Sequence, residues 1–207
     1  MKKIVSAIVS IILVASLLSG CQMGQKEYVR YDDNFFGTFD TIVQIIGYTK
    51  TEDEFDSYVE KINSRFQELH KLYDIYSNYE GINNVKTIND NAGIEPVKVD
   101  KQVIDLIKFS KDWYNRTGGK TNIAMGAVLK IWHEYREEAE RDPANAKIPS
   151  MEELSEASEH IDIDKVIIDE EKGTVYLEDE KMSLNVVAVA KGYAVEVVTK
   201  EVIEDGF

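Results

Sequence analysis

Apolar residues recur along this chain at two spacings, and the switches between them lay out a mixed fold. From Thr51 to Tyr73, the side chains of Phe55, Val59, Ile62, Phe66, Leu69 and Tyr73 share one helical face. Thr51 with Glu54 gives that helix the start of a capping box. A second helix is expected from near Asp100, with Val103, Leu106, Ile107, Ser110 and Trp113 at helical spacing and Gly118-Gly119 as its stop. A further apolar stripe runs through Val128, Leu129 and Trp132. Arg136 to Lys147 is charged and reads as an exposed connection ending at Ile148-Pro149, after which Ser150 and Glu153 cap a short helix. Period two takes over elsewhere. Phe39 to Tyr48 alternates as a strand, Lys165–Asp169 and Thr174–Glu178 flank a turn as a hairpin, and Met182 to Val186 reads as a third strand. Tyr79 to Asn91 is Asn-rich and loop-like. There is no internal repeat, and the class is α+β.

Two segments carry more than periodicity. In the first, an apolar strand-like run from Leu184 to Val189 meets Ala190-Lys191-Gly192-Tyr193 and continues as a helix to about Glu204. Such a junction exposes a helix N-terminus, where anions are readily held. Lys191 adds a fixed cation, and Gly192 would let the backbone approach a ligand. In the second, Thr117 to Trp132, the Gly pair is followed by small and polar residues: Thr121, Asn122, Ala124 and Gly126. Taken singly, each reads first as an ordinary junction between packed elements, and only second as a loop kept open for a ligand.

Taken together and in this order, they resemble the ApbE family, the FAD:protein FMN transferases. TGGKTNIAMGAVLKIW (Thr117–Trp132) matches a family pattern like TGGAFDITVGPLVNLW, and Asn185–Glu196 matches one like DLGAIAKGYAVD. FFGTFDTIVQIIGY (Phe35–Tyr48) is similar to the family's opening strand, and Ile75–Asn89 to its Ser-x-Tyr segment and the Asn that follows. The resemblance runs from about residue 34 to the last residue and implies the N-terminal portion of an ApbE-like, T-fold-like domain of mixed helices and antiparallel strands. It further implies FAD as substrate and Mg²⁺ as cofactor.

By that resemblance, Tyr79 is the ring-stacking aromatic, Phe36 lines the same pocket where the family usually has Met, and Lys120, Thr121 and Asn122 fall on the flavin-contacting loop. Asn185 and Lys191 fall on further cofactor-contacting positions, and Ala188 would offer its carbonyl to Mg²⁺. Asn122 and Asn185 stand where the family usually has Asp, and Val187 where it has Gly. Family members continue well past this point, so the remaining metal ligands and the catalytic residues are expected beyond Phe207. Without them the 207-residue chain is not expected to flavinylate a target by itself. Three activities stay open. One is FMN transfer to a Thr or Ser of an acceptor, another flavin binding without transfer, and the third FAD hydrolysis to FMN and AMP. His70, His133 and His160 are isolated, and none reads as a ligand or base.

The N-terminus supplies an address. Met1-Lys2-Lys3 precedes an apolar run, Ile4–Leu18, and Leu18-Ser19-Gly20-Cys21 has the form of a lipobox. The run is short for a membrane span. The expected layout is a signal peptide over 1–20, a lipidated Cys21 opening a tether over 21–33, and the domain from 34. That predicts an extracytoplasmic, lipid-anchored protein whose acceptor is a flavoprotein such as a subunit of a membrane redox complex. Cys21 is the only cysteine, so no intrachain disulfide can form. With 24 Lys and Arg against 38 Asp and Glu the formal charge is −14, which argues against a nucleic-acid partner.

Overall fold

The structure, a computed structural model, describes residues 27–207; the segment with Cys21 lies outside them. The first element is an antiparallel hairpin of β1 (Val29–Thr38) and β2 (Thr41–Thr49). The strand β1 takes in residues 29–33 of the segment read as tether. Its Asp32-Asp33-Asn34 run has the composition of a turn, but its pairing with Gln44, Ile45 and Ile46 overrides that preference. The expected strand from Phe39 instead starts at Thr41, because Phe39 and Asp40 form the turn, at φ 53° and 50°. Left-handed backbone at both central positions is the type I′ geometry that suits a hairpin's twist, and it normally selects Asn-Gly. A phenylalanine there costs roughly 1 kcal/mol. The Phe39 amide recovers part of this by donating to His70 Nδ1 at 3.2 Å, and its ring packs edge-on to Phe66.

The long helix α1 (Glu52–Tyr73) lies under the hairpin. Thr51 Oγ1 accepts from the Glu54 amide as expected, while the Glu54 carboxylate reaches past the cap to the Lys50 amide. Next come α2 (Val85–Asp90), β3 (Val97–Lys98), α3 (Lys101–Arg116), α4 (Gly126–Arg141) and α5 (Met151–Ser158). The chain closes with β4 (Val166–Asp169), β5 (Thr174–Leu177) and α6 (Val187–Glu204). The three short strands make an antiparallel sheet in the order β3-β5-β4. The core sits where α1, α3 and α6 meet: Leu69, Val103, Leu106, Ile107 and Ala194 are all fully buried. Each such Leu or Ile contributes about 1.5–3 kcal/mol by leaving water. At the rim of this contact Arg65 grips Glu201 in a fork, donating from Nε to Oε2 at 2.8 Å and to Oε1 at 3.1 Å, and from Nη2 to Oε1 at 2.9 Å.

Other expectations are corrected. Residues 85–90 of the supposed loop are helical, capped by Asn84. The charged stretch from Arg136 is helical as far as Arg141. The stripe on α4 is not core, since Leu129 and Trp132 are both well exposed and only Gly126 of that helix is buried. Met182–Val186 is not a strand: Ser183 alone makes an isolated bridge, to Met125, and the helix begins at Val187. The capping box of Ser150 with Glu153 and the β4–β5 hairpin are as expected.

Candidate functional site

The segment 182–186 lies outside the two sheets of the described residues, and side chains and loops take the place of strand neighbours. On one side Asn89 imitates a strand, accepting from the Leu184 amide at 2.7 Å and donating to the Leu184 carbonyl at 2.9 Å. On the other side the Asn185 amide donates to the Ile123 carbonyl at 2.7 Å, and the Gly126 amide to the Ser183 carbonyl at 2.9 Å. A Cβ on Gly126 would collide with that Ser183 carbonyl, so only glycine permits this approach. The two strongest sequence segments, far apart in the chain, are thus clasped together.

Two cavities open beside the clasp. The larger, about 650 Å³, is walled by residues of the 182–186 segment, by α2 through Lys86, Asn89 and Asp90, and by α4 through Lys130, His133 and Glu137. The smaller, about 240 Å³, lies between the Phe39-Asp40 turn, the end of α1 (His70, Tyr73, Asp74) and the first turn of α6 (Val187, Ala190, Lys191), with Arg136 reaching in from α4. Ile75 and Tyr76 wall both. All four segments that carried the family resemblance therefore contribute to one cleft.

The loop that follows α1 is fixed by Asp74. Its Oδ1 accepts from the amides of Tyr76 (2.7 Å) and Ser77 (3.2 Å), and its Oδ2 from the Tyr79 hydroxyl (2.7 Å). Burial and that bond to a carboxylate push the Tyr79 phenol up to about 12. Below the loop Asn84 is fully buried and spends its whole amide inward: Nδ2 donates to the carbonyls of Lys71 and Ser77, and Oδ1 accepts from the Thr87 amide. Tyr73 is nearly fully buried against the smaller cavity, and its hydroxyl has no partner among the described residues. Its phenol is pushed up, first by burial and then by Tyr193 nearby.

Of the residues singled out in the sequence, Asn185 lines the larger cavity and Lys191 the smaller. Asn185 Oδ1 also accepts from the Val187 amide at 3.2 Å, at the first residue of α6. Tyr79 and Phe36 line neither cavity; Phe36 stands exposed on the outer face of β1. Lys120, Thr121 and Asn122 also lie off the cavity walls. Asn122 is committed to structure, donating from Nδ2 to the Ile161 carbonyl and accepting at Oδ1 from the Ala124 amide, both at 2.9 Å. The first of these bonds needs an amide, which accounts for Asn in place of the family's Asp. A Cβ on Gly192 would meet nothing within 4 Å, so the fold itself does not require glycine there. The histidines are engaged as packed residues: His70 by the Phe39 amide, His133 by Glu137 at 3.1 Å, and His160 by Asp179 at 2.8 Å. Sequence reading missed Asp74 and Tyr76, whose positions depend on a loop with no periodic signal, and Arg136, which lies on α4 in a stretch read as an exposed connection.

These features define a mixed α+β domain with a polar-rimmed cleft running to the N-terminal turn of a helix. The chain belongs to the ApbE family, whose model matches residues 39–207. It is 31% identical over 138 residues to the FAD:protein FMN transferase of Klebsiella pneumoniae, over 66% of this chain and 42% of that protein. To the FAD:protein FMN transferase of Haemophilus influenzae it is 22% identical over 215 residues, 97% of this chain and 56% of the relative. Among solved structures, the flavinyl transferase ApbE of Pseudomonas stutzeri superposes with a TM-score of 0.70 at 16% identity, covering 89% of this chain and 56% of that one. The ApbE protein of Thermotoga maritima gives 0.68 at 24%, covering 83% and 52%. The chain spans about half the length of these relatives. The expected α+β architecture and family are both what the comparisons show.

Proposed function

We propose that this chain is the FAD-binding N-terminal portion of an extracytoplasmic flavin transferase, held at the membrane by lipid on Cys21. The transferase attaches FMN to a Thr or Ser hydroxyl of a flavoprotein acceptor, such as a subunit of a membrane redox complex. The hydroxyl oxygen attacks the FMN phosphorus, the bond to the AMP oxygen breaks, and the hydroxyl proton is lost as the phosphoester forms. The observation that carries this reading is the clasp, which joins the two motif segments and opens a cleft with Lys191 and Arg136 at one end. Cations beside a helix N-terminus suit a pyrophosphate, and the larger cavity has room for a ring system.

Mg²⁺ would neutralise pyrophosphate charge and polarise a phosphoryl oxygen. Ala188 lies in the first turn of α6, where helix geometry turns its carbonyl toward the amide four residues on. No group of three His, Cys, Asp or Glu is placed to hold a metal among the described residues. The described residues thus offer no cluster of three such ligands for Mg²⁺, and the part proposed for them in the reaction is to bind and orient FAD.

The test is titration of the purified chain with FAD, followed by incubation with FAD, Mg²⁺ and a peptide carrying Thr or Ser. Saturable binding is expected. Binding alone supports the flavin-holding part proposed here, covalent FMN on the peptide overturns the expectation that this chain does not transfer by itself, and release of FMN and AMP without labelling assigns hydrolysis. Absence of FAD binding sinks the proposal.

A further inference from the structure

We infer that the open end of the β1–β2 hairpin, through Tyr28, Arg30, Tyr48 and Lys50, rests on the headgroups of a lipid bilayer and sets how far from it the cleft stands. The inference rests on the lipid proposed above for Cys21. Arg30 pairs with Tyr48 across the two strands, and Tyr28 and Lys50 are the next positions outward on the same face. The Lys50 ammonium lies 5.5 Å from the centre of the Tyr28 ring. This face is turned away from α1, because Tyr31, on the other face of β1, stacks on Phe55 at 5.6 Å. Tyr28 is 64% exposed and Tyr48 61%, and Ile46, next along the face, is exposed as well. Two tyrosines interleaved with two cations make an amphipathic surface, each ring offering an apolar body and a polar tip. Such rings collect at headgroup level, where lipid phosphates can take the cations.

The tether names the occupant. Tyr28 is the seventh residue after Cys21, so even a fully extended link spans at most about 25 Å. A domain of this size is roughly 40 Å across, and lipid on Cys21 therefore keeps the open end of the hairpin on the side facing the bilayer. The acidic first turn of α1, Glu52 to Glu54, lies beside the patch, and the chain as a whole carries −14. The surface that fits is zwitterionic, since an anionic one would repel the domain. Asp40 precedes Tyr48 by eight residues along the hairpin, about 27 Å of strand, and the Phe39-Asp40 turn walls the smaller cavity. A hairpin standing on its open end thus holds the cleft up to that distance from the lipid.

The test uses the protein purified with its lipid and reconstituted into phosphatidylcholine vesicles that carry a headgroup spin label. With the Cys21 thiol taken by lipid, a cysteine introduced by Glu52→Cys, beside the patch, or by Glu171→Cys, in the exposed β4–β5 turn, is the one thiol free to take a fluorophore. Quenching by the spin label is expected for Glu52→Cys and not for Glu171→Cys. It should fall about threefold when Tyr28→Ser and Tyr48→Ser are added to Glu52→Cys, since two rings then no longer leave water. Because both tyrosines are so exposed, the thermal transition should not move. Equal quenching at the two sites, or quenching that survives the loss of both tyrosines, overturns the inference while leaving the anchor in place. Quenching that rises when phosphatidylglycerol replaces part of the phosphatidylcholine does the same. A wild-type chain whose Cys21 thiol takes the fluorophore, and which washes off the vesicles, removes the anchor and the inference together.

Discussion

Helices α1, α3 and α6 meet through apolar side chains, whereas the cleft rim is held by single polar side chains that reach backbone atoms. In the first region Leu69, Leu106, Ile107 and Ala194 are fully buried, and many weak contacts share the load. In the second, Asp74, Asn84, Asn89, Asn122 and Asn185 each fix a loop with one to four hydrogen bonds. The contrast is one of redundancy. Removing a methylene from the core leaves its neighbours in place, but removing one amide from the rim releases a whole segment. The cleft is therefore built from the part of the molecule that is easiest to disturb locally, as expected for a region that must admit a ligand.

The largest effect should come from the core. Leu69→Ala deletes a fully buried side chain and should cost about 3 kcal/mol in urea unfolding, through lost transfer energy and the cavity left behind. FAD affinity, corrected for the folded fraction, should barely change, because Leu69 borders neither cavity. A large loss of affinity in folded protein would show that the two regions are coupled.

Asn89→Asp attacks the rim and should cost somewhat less, about 2 kcal/mol. The carboxylate can still accept from the Leu184 amide, but it can no longer donate to the Leu184 carbonyl and confronts it with a charge. Since Asn89 and Leu184 both wall the larger cavity, this variant should weaken FAD binding more than Leu69→Ala does. Equal affinities in the two variants would erase the distinction between core and rim.

The same division explains what could be read from the sequence. The elements α1 and α3 were legible because their buried faces repeat at helical spacing, and α5 because Ser150 and Glu153 form a capping box of the commonest kind. The helix α2 was not, being six residues long with only Val85 and Ile88 buried and a cap of Asn84 with Thr87. The run from Leu184 to Val189 looked like a strand because it is rich in β-branched residues. Its actual course depends on Asn89 satisfying Leu184 and on Asn185 accepting from the Val187 amide, contacts that no local pattern announces. For the site, Lys191 and Asn185 were legible as motif positions, whereas Tyr76 depends on Asp74 folding the loop back on itself. Polar point contacts between distant segments have no period, so they cannot be read from spacing.

The smallest predicted effect separates the regions by pH. Asp179, in the turn after β5, accepts from the Lys181 amide at 2.9 Å and meets His160 at 2.8 Å and Lys165 at 3.3 Å. These partners, His160 first, hold its carboxyl down to about 2 from an ordinary 3.8. A carboxylate whose folded value is depressed adds stability that is fully present above its unfolded value and disappears as pH falls through the folded one. Its contribution, about 1 kcal/mol after screening at this partly open site, should therefore be intact at pH 5 and fade between about pH 4 and pH 2. Asp179→Asn should then be less stable than wild type at pH 5, with the two curves converging toward pH 2. Lys181 and Glu180 of the same turn wall the larger cavity, so the loosening should also reach the cleft. Leu69→Ala, by contrast, should keep a constant deficit from wild type over that range, since no titrating group is removed with it. A difference between wild type and Asp179→Asn that stays constant down to pH 2 would mean that this carboxylate is not held by its partners in solution, and the rim would lose its most specific electrostatic contact.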